Sequence, residues 1–248
     1  MTTAIDMSLT KKYEIRYYDI DYNQVLKPSA LLNYMQDVAT VSAEKWNFGY
    51  TFTQKNNYAW FLIKYKMEFD EYPSHLDEIV IKTQARGVSR IMAHRDFWFY
   101  NSDGKFLGRA TSGWMLVDMD SREIVPIQKE LGIMGLYEKN EDDLEFEKIK
   151  PFDEVDFEKE FDVRYDDIDL NKHANNANYI SWAFEALPFE FKASNKLKTL
   201  DMVFKKEIQY GNKVLSLAKF DEQEKITHHI VKNSSTGDDL CLIKATFK

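Results

Sequence analysis

The sequence predicts an α+β protein of two similar halves, each a long helix wrapped by an antiparallel β-sheet. Three observations carry this. First, an 11-residue segment occurs twice, Y-E-I-R-Y-Y-D-I-D-Y-N at Tyr13–Asn23 and F-D-V-R-Y-D-D-I-D-L-N at Phe161–Asn171, with six positions identical. Second, each copy is followed by an apolar stretch at helical spacing: Ala30, Leu31, Tyr34, Met35 and Val38, then Tyr179, Ile180, Ala183, Phe184 and Leu187. Third, each helix is followed by runs rich in aromatic and β-branched residues, which read as strands. The repeat persists to the end of both halves, where Ala110–Thr111 matches Ala245–Thr246. A collinear repeat of this length argues for duplication rather than chance.

The elements follow in order. Tyr13–Tyr18 alternates and predicts a strand; Asp19–Pro28 is a loop. Pro28 at a helix start and Ser29 beside it predict a helix from Ser29 to Lys45. Strands are expected at Tyr58–Phe69, Ile79–Arg86, Ile91–Tyr100 and Phe106–Met119, with a hairpin turn at Asn101–Gly104. The second half predicts a strand at Phe161–Tyr165, a loop at Asp166–Asn175 and a helix at Asn176–Leu187, stopped before Pro188. Four strands should follow, at Lys198–Tyr210, Lys213–Asp221, Thr227–Asn233 and Leu240–Phe247. The expected division is a first half over 1–137, an acidic, solvated linker over 138–160 and a second half over 161–248. The linker, Glu138–Glu160, carries 11 acidic and 4 basic residues, most of the chain's net charge of −8.

That acidity argues against nucleic acid as a partner. Nothing is long and apolar enough to insert in a bilayer, and Met1–Lys11 carries no cleavage signature, so a cytoplasmic protein is expected. The single cysteine, Cys241, excludes an internal disulfide and a cysteine zinc cluster, and fits a reducing compartment. His228 and His229 have no acidic partner at ligand spacing, and His75 and His94 are isolated. No metal site and no cofactor are expected.

Two positions past each repeated asparagine the copies diverge, to Val25 in the first and His173 in the second. Asp169, Asn171 and His173 therefore alternate in a loop just before a helix. In extended backbone, residues two apart point the same way, so the three side chains can meet one ligand. The helix start adds free backbone N–H groups suited to a developing oxyanion. Imidazole can move protons near neutral pH. The plainer reading is that Asp169 and Asn171 are turn and capping residues, as Asp21 and Asn23 must be without a histidine. Arg16 and Arg164 occur in both halves and read as structural.

The run D-I-D-L-N-K-H-A-N-N-A-N-Y-I-S-W, Asp167 to Trp182, closely resembles the catalytic segment of acyl-acyl-carrier-protein thioesterases of the plant and bacterial type. The resemblance extends to Trp60, to Tyr72–Pro73 and to R-A-T-S-x-W at Arg109–Trp114, and so covers nearly the whole chain. It implies a tandem double hotdog fold and a hydrolase acting in fatty acid biosynthesis and lipid metabolism. It also implies acyl carrier protein bearing a fatty acyl chain as partner; a homodimer is left open. The family's R-R-E-C stretch falls on Lys205–Ile208 and carries over Glu207 as a catalytic acid. The family's cysteine is Ile208 here, so a cysteine nucleophile at that position is ruled out and attack by water is implied. Asp169 and Glu207 share the candidacy for general base. Asn171 and His173 would orient the water or the carbonyl, with Asn175 and Asn176 at the helix start stabilising the oxyanion. The first half, whose copy of the repeat has lost its histidine, would supply an acyl tunnel around Met35, Trp60 and Phe61, which are equally suitable core residues. Lys192, Lys196, Lys198, Lys205 and Lys206 are candidate carrier-protein contacts. Two alternatives stand beside this reading: an acyl-CoA thioesterase on the same fold, and a non-catalytic acyl-binding protein.

Overall fold

The computed structural model describes residues 6–74 and 78–248. The first half runs β1 (Ser8–Glu14), α1 (Pro28–Lys45), α2 (Tyr50–Asn56), β2 (Tyr58–Phe69), β3 (Glu78–Ser89), β4 (Met92–Asn101), β5 (Phe106–Asp118) and α3 (Ile127–Glu130). The second runs β6 (Phe157–Asp162), α4 (Asn176–Glu185), α5 (Phe189–Ser194), β7 (Leu197–Phe204), β8 (Lys213–Asp221), β9 (Ile226–Asn233) and β10 (Asp239–Phe247). Pro28 opens α1, where its missing N–H costs nothing. The Asn175 side chain caps α4 by accepting the Ala177 N–H. Leu31, Leu32, Met35 and Val38 on α1, and Tyr179, Ile180, Trp182 and Ala183 on α4, are buried. Those faces meet the sheet and each other.

All ten strands form one antiparallel sheet in the order β1-β3-β4-β5-β2-β7-β10-β9-β8-β6. Each half contributes five strands, and the second repeats the order of the first in reverse across the β2–β7 junction. The arrangement is the tandem double hotdog. Lys66 and Asp201 pair in register at the middle of that junction, with Lys64 opposite Val203 and Glu68 opposite Thr199. Their side chains form a buried ion pair, Nζ to Oδ2 3.2 Å, 11% and 5% exposed.

Several boundaries depart from expectation for local reasons. The first strand of each half lies earlier than expected: β1 spans Ser8–Glu14 and β6 Phe157–Asp162, so the second half begins inside the expected 138–160 linker, and each strand gives way to a single 3-10 turn. Tyr17, Tyr18 and Tyr165 lie on the surface, so the alternation that suggested longer strands ends in solvent. Asp19 and Asp167 accept the N–H of Arg16 and Arg164 and close those turns. The strand expected to reach Tyr210 ends at Phe204. Its neighbour β10 runs out there, with the Lys205 N–H reaching the Leu240 carbonyl. Glu207 therefore stands in a loop beyond the sheet rather than on a strand. Short helices α2 and α5 follow the two long ones and lacked a clear apolar period.

Residues 138–156 contain no helix or strand, but the segment is not simply solvated. The Asp143 carboxylate takes both Arg86 terminal nitrogens, at 3.0 and 3.1 Å, and the Tyr137 hydroxyl. Glu147 pairs with Lys244 and its N–H reaches Asp201. Basic side chains of the strands draw the acidic segment across the sheet. Gly87 admits its start: φ is +110°, and a Cβ there would lie 2.7 Å from the Leu136 backbone.

Candidate active site

The two repeated loops have the same backbone design. The Asp21 Oδ1 accepts the Asn23 N–H at 2.8 Å, and the Asp169 Oδ1 accepts the Asn171 N–H at 2.8 Å. Gln24 and Lys172 both take left-handed φ, 57° and 65°. Each loop closes with an equivalent pair, Asp21 N–H to the Val25 carbonyl and Asp169 N–H to the His173 carbonyl. The turn-forming reading of the aspartates therefore holds in both copies. What distinguishes the second is what the loop presents.

It presents His173 to Glu207. His173 Nε2 lies 3.0 Å from Glu207 Oε2, with the histidine side chain 14% exposed. The Ala174 N–H donates to the Ile208 carbonyl at 2.8 Å, which holds the loop against the segment after β7. Gln209 Nε2 stands 3.4 Å from the same imidazole nitrogen. Burial pushes the Glu207 carboxyl above the usual carboxylate range; His173 and then Arg122 oppose the rise, and Asp169 adds to it. Two nearby carboxylates and a histidine form an arrangement suited to proton transfer.

These groups line a cavity of about 580 Å³, together with Trp60, Phe61, Asn171, Asn176 and Arg122. Arg122, in the turn after β5, was not singled out by the sequence. It has no carboxylate partner among the described residues, and only the duplicated fold brings it to the second half's loop. Of the backbone amides from 174 to 178, four are engaged and the Asn176 N–H is open. Asn175 serves as the α4 cap and reaches Asn33 on α1 at 3.2 Å. It does not line the cavity.

A second, apolar cavity of about 180 Å³ adjoins the first and shares Trp60 and Asn171 with it. It lies in the first half, between α1–α2 and the sheet, against Ala39, Phe48 and Trp114. Its wall includes Arg95, which is fully buried and hydrogen-bonded to the hydroxyls of Ser42 and Thr83. Met35, fully buried in the core, reaches neither cavity. Of the five lysines expected near the site, Lys205 and Lys206 line it and are paired with Asp239 and Asp238. Lys192 and Lys196 face a different cleft, because the start of β7 lies far from its end.

Cys241 is fully buried and its thiol is pushed up by burial. Among the described residues, no group of three His, Cys, Asp or Glu side chains is placed to hold a metal ion. His94 and His229 are held neutral by burial, at about 4 and about 3. His75 lies outside the described residues. Among the described residues, no helix is long and apolar enough to cross a membrane.

A tandem hotdog that sets a histidine against a carboxylate, beside an apolar cavity of the opposite half, defines a class of acyl-handling proteins. The family profile described as "Acyl-ACP thioesterase N-terminal domain" matches residues 6–133, and that described as "Acyl-ACP thioesterase C-terminal domain" matches residues 151–248. The chain belongs to the acyl-ACP thioesterase family. It is 25% identical to an oleoyl-acyl carrier protein thioesterase of Coriandrum sativum, described as chloroplastic, over 93% of this chain and 68% of the relative. It is 27% identical to a palmitoyl-acyl carrier protein thioesterase of Gossypium hirsutum, over 80% of this chain and 51% of the relative. Two solved structures share the fold. An acyl-ACP thioesterase from Bacteroides thetaiotaomicron superposes with a TM-score of 0.84 at 22% identity, covering 98% of each chain. A 12:0-ACP thioesterase from Umbellularia californica superposes with 0.83 at 20% identity, covering 98% of this chain and 97% of the other.

Proposed function

We propose that this chain hydrolyses the thioester of a fatty acyl group carried on acyl carrier protein, releasing the free fatty acid. The observation that carries the reading is the His173–Glu207 pair, 3.0 Å apart, in a cavity that adjoins an apolar one. The aliphatic chain lies in the first-half cavity, past Trp60, where each buried methylene contributes about 0.8 kcal/mol. The buried Arg95 guanidinium sets a polar limit to that cavity, since a methyl end packed against it offers the cation no hydrogen-bond acceptor. The thioester carbonyl sits in the larger cavity, with its oxygen toward the Asn176 N–H. A water is held against the Glu207–His173 pair. Glu207 takes a proton as the water attacks, and the carbon–sulfur bond breaks as that proton returns to the departing thiolate. Asn171, at the junction of the two cavities, orients the acyl group. Asp169 builds the loop and adds to the rise that burial gives the Glu207 carboxyl. The first half acts as the acyl-binding half and the second as the catalytic half. The lone thiol, fully buried, supports a cytoplasmic setting.

Carrier protein is distinguished from coenzyme A by rate. Matched acyl-carrier-protein and acyl-CoA substrates of equal chain length should give a clearly higher kcat/KM with the carrier protein. Equal values would remove carrier protein from the reading and leave a general acyl thioesterase.

The position of Arg122 gives a pH prediction. Glu207 must be deprotonated to act as base, so activity falls as pH drops through its raised pKa. Arg122 opposes that rise. Arg122→Gln should therefore move the acid limb of the kcat profile to higher pH. An unmoved acid limb would show that Glu207 is not the group being titrated.

A further inference from the structure

The working site has a counterpart across the β2–β7 junction. The Leu26 N–H donates to the Pro73 carbonyl as the Ala174 N–H donates to that of Ile208. This matches Val25 with His173 and Tyr72 with Glu207, so both groups of the acid–base pair are replaced. The cavity itself is retained. A cleft of about 530 Å³ lies between the Asp21–Val25 loop and α4–α5, walled by Ile180, Phe184, Phe189 and Phe247.

Three features of the cleft call for a ligand. Tyr72 lines it, 2% exposed, and its hydroxyl has no partner among the described residues. An unpaired buried donor costs stability unless an acceptor is supplied. Lys196 stands where the working site has Phe61, as the repeat aligns them, and has no carboxylate partner among the described residues. The cleft's two carboxylates are already engaged. Asp21 accepts the Asn23 and Val25 N–H groups, and Glu185 pairs with Lys159 and Lys192.

We propose that the first-half loop and α4–α5 form a second, non-hydrolytic site that binds a long-chain carboxylate, its aliphatic chain among the phenyl rings and its head group on Lys196 and Tyr72. This rests on the thioesterase reading only in naming the product fatty acid as the natural occupant. The site binds without cleaving, because Val25 and Tyr72 cannot replace a histidine and a carboxylate.

The test is photolabelling of the full-length protein with a saturated fatty acid carrying a diazirine near its methyl end, followed by peptide mapping. Label is expected both in α4–α5 peptides and in peptides of the first-half cavity. Lys196→Ala should reduce α4–α5 labelling about tenfold, the scale of one charge-assisted hydrogen bond, and leave first-half labelling unchanged. Ala193→Trp, which fills the cleft, should abolish α4–α5 labelling while thioester hydrolysis stays within twofold. Label confined to the first-half cavity overturns the second site and leaves the thioesterase reading intact. Label in α4–α5 alone supports the second site and sinks the assignment of the acyl cavity. α4–α5 labelling indifferent to Lys196→Ala overturns the head-group assignment. The wild-type map decides the matter even if Ala193→Trp fails to fold.

Discussion

Glu207→Gln should lower hydrolysis of an acyl thioester by ~10²-fold or more, the usual scale for a general acid–base group and about 2.7 kcal/mol of barrier. Glutamine keeps the shape of the side chain and its contact with His173 but cannot accept the water's proton. His173→Ala should lose a similar factor, and the double variant little more than either alone, because the two act on one proton transfer. Asp169→Asn separates the aspartate's two roles. An amide oxygen still accepts the Asn171 N–H, so the loop survives. The charge that helps hold the Glu207 carboxyl high is gone. A smaller rate loss is expected, with the acid limb moved to lower pH. Asp21 serves as the internal control, since its loop has the same hydrogen bonds. Asp21→Ala should cost about 1 kcal/mol of stability, the worth of a turn hydrogen bond, and leave turnover unchanged. If Asp21→Ala abolished turnover in a folded protein and Glu207→Gln did not, the active half would be misassigned.

The second large effect concerns the junction of the halves. Lys66 and Asp201 face each other in the centre of the sheet, under the acidic segment that carries Glu147. Burial pushes the Asp201 carboxyl above the usual range, and Lys66 offsets this only in part. The pair is therefore costly to break and of small net value. Lys66→Met should destabilise the fold by about 3–5 kcal/mol, since it strands a buried carboxylate. Lys66→Met combined with Asp201→Leu should recover most of that loss, as replacement of a buried ion pair by apolar residues is often neutral. Urea unfolding of the three proteins measures both effects. The sign with pH follows from the raised carboxyl: in Lys66→Met, stability should improve as pH falls and Asp201 takes up its proton, and worsen as pH rises through its folded pKa. A single variant as stable as the wild type would show that the pair is not desolvated.

Much of the architecture was legible because it depends on local periodicity. α1 and seven of the eight strands that follow the two long helices came out within a few residues, since apolar spacing of 3.6 or 2 survives in any tertiary setting. Boundaries failed where a neighbour decided them. β7 ends at Phe204 because β10 ends beside it, and nothing in Lys205–Tyr210 announces that. α2 and α5 are too short to show a period, yet they wall the two apolar cavities.

The site divides in the same way. Asp169, Asn171 and His173 are near in sequence, so their loop was readable from spacing, and Glu207 followed from the family's motif. Arg122 was invisible because it lies 51 positions before His173 and belongs to the other half. Met35 reads as well for a tunnel as for a core, and only packing placed it in the core. By itself, then, the sequence determined that the fold is duplicated, that one copy keeps a histidine and that no cysteine stands at Ile208. Tertiary structure alone decided which residues face that histidine. The antiparallel junction of β2 with β7 sets each half's loop against the other half's helices and strand ends. That juxtaposition spans more than a hundred residues, and no local periodicity encodes it.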